Sequence, residues 1–302
     1  MTDDRNPQRP APARDWTGQI ESLVPLARPT RRAFVAGTLG GGFALAVLPV
    51  SAATIVTDSD GLTAGDVKIP IAGGEIPAYR AMPAAGGPFP TVLVVQEIFG
   101  VHEHIKDICR RLAKLGYFAV AASLFERQGD VTSMTSVGEI VDKVVAKVPD
   151  AQVFADLDAT ADWAAKTGKA DTGRLGVTGF CWGGRQVWLY AGHSPRVKAG
   201  VAWYGQLSGP QTKLRPEWPL DIALRLKTPV LGLYGGADSG IPLSDVDAVR
   251  AALRHSRSGS QIVLYPDAPH GFNADYRPSY RPKDASDAWN RMRAWFKKYG
   301  VS

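Results

Sequence analysis

The chain has 302 residues, 45% of them hydrophobic and 21% charged. That is enough of each for a core and a soluble surface, and the length suits one large α/β domain or two small ones. The net charge of +6 includes no basic cluster with interleaved aromatics, which argues against a nucleic-acid partner. Two cysteines are too few for a disulfide framework, and no CxxC or Cys/His cluster suggests structural zinc, so no metal and no cofactor is expected.

Residues 1–29 are rich in Pro, Arg and Asp and lack periodicity, which reads as an unstructured stretch. Arg31 and Arg32 then precede an uncharged, weakly apolar run from Ala33 to Val50, followed by the small residues Ser51, Ala52 and Ala53. A basic start, a short apolar middle and a small-residue end form a secretory pattern. The paired arginine followed by Phe34 resembles a twin-arginine signal. Residues 1–53 are therefore expected to be a leader that meets the twin-arginine export machinery and takes the folded protein to the periplasm. Two alternatives are an uncleaved membrane anchor and a cytoplasmic protein whose signal is not used.

The domain is expected over residues 60–302. "DVKIPIAG" and "EIPAYRAMP" form a hairpin. "PTVLVVQEIFG" is a continuous apolar run, the mark of a strand buried on both faces. In "EHIKDICRRLAKLG", Ile105, Ile108, Cys109, Leu112 and Leu115 recur at helical spacing, with Gly116 as the stop. "YFAVAASLF" is a strand and "DAQVFADLDATADWAAKTG" a helix. "GRLGVTGF" is a strand and "WGGRQVWLYAGHS" a helix. "VKAGVAWYG" and "TPVLGLYGGAD" are strands, "LSDVDAVRAALRHS" is a helix and "SQIVLYPDA" a strand. "KDASDAWNRMRAWFKKYG" closes the chain as an amphipathic helix with Ala285, Ala288, Trp289, Met292, Trp295 and Phe296 inward. Repeated strand–helix–strand units predict an α/β fold, a mostly parallel, doubly wound sheet with helices on both faces. Its site should lie at the carboxyl ends of the strands.

"GFCWGGR" stands where a strand meets a helix. Gly-x-nucleophile-x-Gly at such a corner is a nucleophile elbow, with Gly179 and Gly183 keeping its neighbours small. The Cys181 thiol would project at a helix N-terminus, where the partial positive charge favours thiolate. Cys109, on the apolar stripe of a helix, reads as core. Nucleophile, acid and histidine follow in α/β-hydrolase order as Cys181, Asp238 and His270. His270 would act as general base and then acid, with Asp238 holding its tautomer. Asp267 is the rival acid. His102 and His104 start a helix, and His193 and His255 end helices, positions where a histidine often serves as a cap. The amides of Trp182 and Ile98 would form the oxyanion hole.

With these residues placed, the chain resembles the dienelactone hydrolase family over roughly residues 65–300, on "VVQEIFGVHEHIKDICRRLAKLGY", "GFCWGGR" and "PHGF". The resemblance implies an α/β-hydrolase fold and a cofactor-free hydrolase whose partner is a small ester or lactone. It implies that Glu97 lies near the cysteine and helps to activate it. It also implies that Arg127, in "SLFERQ", holds a substrate carboxylate and that Tyr204 lines the pocket. A second family arginine should follow the histidine, but Ala274 stands there, with Arg277 and Arg281 out of register. The expected activity is hydrolysis of a lactone or carboxylic ester through a thioester. The alternatives are a general carboxylesterase or lactonase on the same fold, and a thiol redox protein in which Cys109 resolves Cys181. A binding module without catalysis would have no need of the nucleophile–acid–histidine set.

Overall fold

A computed structural model describes residue 22, residues 54–134 and residues 136–302. The twin-arginine pair and the apolar run after it lie outside the described residues. Eight strands form one sheet: β1 (Leu62–Ile71), β2 (Gly74–Pro83), β3 (Phe89–Val95), β4 (Phe118–Ala122), β5 (Ala170–Phe180), β6 (Val197–Trp203), β7 (Val230–Gly235) and β8 (Gln261–Tyr265). Their spatial order is β1-β2-β4-β3-β5-β6-β7-β8. β1 and β2 pair antiparallel, as do β2 and β4, and every later pairing is parallel. The helices are α1 (Glu103–Lys114), α2 (Val137–Lys143), α3 (Asp150–Lys166), α4 (Trp182–His193), α5 (Pro219–Ile222), α6 (Leu243–His255) and α7 (Pro282–Lys298). This is the expected α/β-hydrolase architecture.

The central strands are apolar without alternation because both faces are covered. Every residue from Pro90 to Gly100 is buried. Successive residues of a strand point to opposite faces, and β5 shows what covers each one. A Cβ on Gly176 would meet Val301 and Phe296, so that face lies under α7 and the chain end. Gly200, the register partner of Val177, would meet Val187 of α4 on the other side. The helices themselves follow the sequence pattern closely. α1 buries Ile105, Ile108, Cys109 and Leu112, and the chain turns at Gly116 with φ 92°. Leu115 departs from the expected stripe: it lies past the last helical residue and is 38% exposed. Among the inward residues expected on α7, Trp289 is only half-buried. The short helices α2 and α5 were not anticipated. α2 is started by Ser136, whose hydroxyl accepts the Glu139 amide at 3.2 Å.

Three strand ends meet at one place. β3 ends at Val95, two residues before Glu97. β5 ends at Phe180, directly before Cys181. β7 ends at Gly235, three before Asp238. Glycines let these ends close on one another. A Cβ on Gly183 would stand 2.4 Å from the Val95 carbonyl oxygen and 2.5 Å from that of Gln96. One on Gly184 would stand 2.4 Å from the Trp203 oxygen. These neighbours are backbone and cannot rotate away. Gly183→Ala should therefore lower stability by about 1–3 kcal/mol through overpacking, a fall in Tm of roughly 3–10 °C. A thermal melt at the wild-type midpoint would show that β3 and α4 can part at no cost.

Candidate active site

Cys181 is the residue between β5 and α4. Its φ of 56° and ψ of −116° lie where side chains other than glycine's are strained. Its amide donates to the Trp203 carbonyl at 2.9 Å, which fixes the corner against β6. The thiol is 3% exposed at the N-terminus of α4, on the positive end of the helix dipole. His270 comes from the loop after β8. Its Nδ1 lies 2.7 Å from Asp238 Oδ2, and the Cys181 thiol hydrogen-bonds the same ring. Asp238 Oδ1 accepts the Gly240 amide at 2.9 Å, so each carboxylate oxygen has one fixed partner. Asp267, the rival acid, is exposed. Burial disfavours charge on His270, but Asp238 and Cys181 outweigh it and raise its pKa to about 10.

Glu97, fully buried, accepts three hydrogen bonds. Arg277 Nη2 donates to Oε1 at 2.9 Å, the Tyr276 hydroxyl donates to Oε2 at 2.6 Å, and His102 Nε2 lies 3.2 Å from Oε2. Burial opposes ionisation, but Arg277 and the two histidines beside it hold its pKa well below the carboxylate range. Burial depresses the His102 pKa, against the pull of Glu97, and a ring facing a carboxylate through Nε2 serves as the donor there. The Arg277 guanidinium lies within electrostatic reach of Cys181, Tyr204 and Glu97, and the carboxylate in turn raises its pKa against burial. Arg277 Nη1 donates to Ser22 Oγ at 2.8 Å. Ser22 is 2% exposed, packed against the domain at this position.

Tyr204 has φ 38° and a buried hydroxyl without a hydrogen-bond partner among the described residues. Its ring stands edge-on to His270 at 5.1 Å. Trp182 is the first residue of α4, so its amide has no acceptor inside the helix. Ile98 is buried in the turn after β3, three residues from Val95. The structure thus brings together Cys181, Asp238, His270, Tyr204 and Glu97, with Trp182 directly after the thiol and Ile98 directly after Glu97.

Arg127 has another partner. Its two terminal nitrogens donate to the two Asp156 oxygens at 2.7 Å each, a bidentate pair that ties the loop after β4 to α3. That fork is already filled. Arg277 is the cation at the thiol instead, though the sequence leaves it out of register. The loop coils through successive turns: Ala274 N to Gly271 O, Arg277 N to Ala274 O and Tyr280 N to Arg277 O. These bring a residue seven positions after His270 back to the site, which a linear count cannot show. His102, Tyr276 and Arg277 were all missed as site residues. The pair "YR" shortly after "PHGF" was the available signal. Cys109 is a free, fully buried thiol whose pKa burial pushes well above its ordinary range, unsuited to resolving chemistry. Among the described residues no group of three His, Cys, Asp or Glu side chains is placed to hold a metal ion.

Residues 76–300 match the model of the dienelactone hydrolase family. The chain belongs to the dienelactone hydrolase family. A "Putative carboxymethylenebutenolidase" of Methylorubrum extorquens is 61% identical over 288 residues, 95% of this chain and 99% of the relative. A "Probable 2-oxo-3-(5-oxofuran-2-ylidene)propanoate lactonase" of Bradyrhizobium is 30% identical, covering 70% of this chain and 85% of that one. The crystal structure of a "Putative Dienelactone Hydrolase" from Klebsiella pneumoniae superposes with a TM-score of 0.77 at 54% identity, covering 79% of this chain and 99% of that one. The protein is a dienelactone hydrolase-like enzyme acting on ester or lactone bonds.

The raised pKa of His270 has a consequence for stability. Its folded value, about 10, lies above the ordinary 6.5. The imidazolium's pairing therefore contributes fully below pH 6.5 and is lost as pH rises through about 10. The Tm difference between wild type and His270→Gln should be largest near pH 6 and shrink steadily towards pH 10.5. Parallel Tm curves over that interval would show that the ring gains no proton affinity on folding.

Proposed function

We propose that the chain hydrolyses its lactone or ester through a thioester on Cys181. The observation that carries this reading is the contact chain at the elbow: Asp238 holds His270 Nδ1 at 2.7 Å, and the same ring hydrogen-bonds the thiol. Cys181 passes its thiol proton to His270, Sγ attacks the carbonyl carbon, and the oxyanion is received by the amides of Trp182 and Ile98. The C–O bond then breaks, and the leaving alkoxide takes a proton from His270. In a lactone the alkoxide remains tethered to the acyl group. Water, deprotonated by His270, attacks the thioester and releases the hydroxy acid and the thiol. Glu97 takes part in activating the thiol, and Tyr204 lends its unpartnered hydroxyl to the substrate.

Arg277, beside Cys181, suits a substrate carboxylate better than Arg127, whose fork Asp156 fills. Its Nη1, on Ser22 in this structure, is the donor such a carboxylate would take. The relative named as a propanoate lactonase has a substrate that carries both a lactone ring and an acid. One experiment tests both parts of the reading, with a lactone bearing a carboxylate and a neutral ester compared side by side. Cys181→Ala should lower turnover of both on the order of 10⁴–10⁶-fold, the scale of a lost nucleophile. Hydroxylamine should trap an acyl group on the wild type alone. Arg277→Lys keeps the charge but loses the fork. It should raise KM for the anionic substrate about tenfold more than for the neutral one, the lower bound for one charge-assisted hydrogen bond. Arg127→Ala should treat the two alike. Turnover that survives in Cys181→Ala would overturn the mechanism.

We also propose that residues 1–53 direct export through the twin-arginine machinery. The support is the sequence alone: Arg31-Arg32, Phe34, the Gly-rich apolar run and the small residues at 51–53. Replacing both arginines by lysine should leave full-length protein in the cytoplasm. Fractionation of the native host that finds the wild type there too would count against the leader.

A further inference from the structure

Glu97 is held from two sides by groups that belong to neither the nucleophile–acid–histidine set nor the oxyanion amides. We propose that Tyr276 and His102 are positioning residues that set the charge and orientation of Glu97 at the thiol. The inference rests on the reading of Glu97 as a participant in Cys181 activation.

Tyr276 touches both members of the ion pair. Its hydroxyl donates to Glu97 Oε2 at 2.6 Å and accepts from Arg277 Nε at 2.9 Å. The phenol is fully buried, and burial raises its pKa well above the ordinary value, so it remains a donor at every pH the enzyme meets. His102 supplies the second donor to the same oxygen. The two rings brace each other edge-on at 5.3 Å, and His104 stacks on His102 at 6.1 Å. His104 also contacts Tyr276 at 5.0 Å and faces Asp275 at 3.6 Å. Arg111 holds Asp275 from behind at 2.6 Å. The titratable and charged groups facing Glu97 are thus Arg277 and Tyr276 from the loop after β8, His102 and His104 from the start of α1, and Tyr204 from the end of β6.

The arrangement has a definite electrostatic effect. Each hydroxyl or ring proton aimed at Oε2 places partial positive charge against the carboxylate and softens its field at Cys181. Without these protons the field strengthens, and a neighbouring thiolate is disfavoured. A residue that only filled space would leave the thiol's ionisation alone.

The test follows Cys181 alkylation by iodoacetamide as a function of pH, together with kcat/KM and Tm, on the full chain. Tyr276→Phe keeps the ring and removes the donor. Its alkylation midpoint should move up by about half a unit or more, and kcat/KM should fall about ten- to hundred-fold, the worth of a hydrogen bond to a buried charge. His102→Leu should move the midpoint the same way, and His102→Gln, which keeps an N–H donor, should recover part of the loss. Glu97→Gln removes the field itself, so its midpoint should move down, while kcat/KM should still fall because the carboxylate that takes part in activating the thiol is gone. In that background Tyr276→Phe should cause no further shift. The His102 pair decides the matter if Tyr276→Phe does not fold. A wild-type midpoint and kcat/KM in Tyr276→Phe, or equal effects of Leu and Gln at position 102, overturn the proposal. Undiminished turnover in Glu97→Gln would instead defeat the reading of Glu97 on which it rests. Loss in Glu97→Gln with none in Tyr276→Phe defeats the positioning role alone.

Discussion

A side chain held at φ 56° between a strand and a helix is the constraint on which the rest of this molecule turns. Left alone, Cys181 would relax into the allowed region and swing its thiol off the sheet end. It is prevented from doing so on three sides. The Trp203 carbonyl takes its amide, and Gly179 and Gly183 press the corner onto the end of β3. Gly184 presses the helix start onto the end of β6. The parallel pairing of β3, β5 and β6 is what puts those carbonyls there. The strain is held by the sheet, and it fixes the thiol relative to every other group in the site.

The second organising element is charge. Glu97 and Arg277 are both 0% exposed at the side chain, an arrangement that burial alone would forbid. It persists because each is satisfied more than once. Glu97 has three donors, and Arg277 has Glu97, the Tyr276 oxygen and Ser22. His270 and Asp238 form a separate buried pair that also reaches the thiol. Cys181 thus stands between two compensated ion pairs of different chemistry. One includes an imidazole, and the other is locked by hydrogen bonds.

Much of this was legible from residue order. The strands declare themselves as apolar runs, the elbow as glycines two before and two after a cysteine, and the acid and histidine by their place after strands. Periodicity and turn chemistry are local, so a local reading finds them. The misses share one cause. Arg277 was set aside by counting from His270, because the count assumes a loop that runs out rather than one that coils back. Arg127 was read as facing a ligand, whereas its partner Asp156 lies 29 residues away on a helix whose rotation the sequence does not state. His102 was given to helix capping, yet its side chain makes no cap hydrogen bond and turns inward to Glu97. Side-chain pairing across the sheet is a property of the fold, and it cannot be seen until the fold is closed.

The loop that carries His270, Tyr276 and Arg277 lies close to the end of the chain, while Glu97 belongs to its first parallel strand-to-helix crossover. During synthesis the carboxylate emerges some 180 residues before its arginine, the separation of the ion pair along the sequence. Until that arginine arrives, closing β3, β5 and α4 around Glu97 would strand a bare charge in a dry interior, at a cost of several kcal/mol. Until then Glu97 has, among the described residues, only the nearby His102 as a side-chain donor, so closing the core around an ionised carboxylate depends on this last segment, which acts as its keystone.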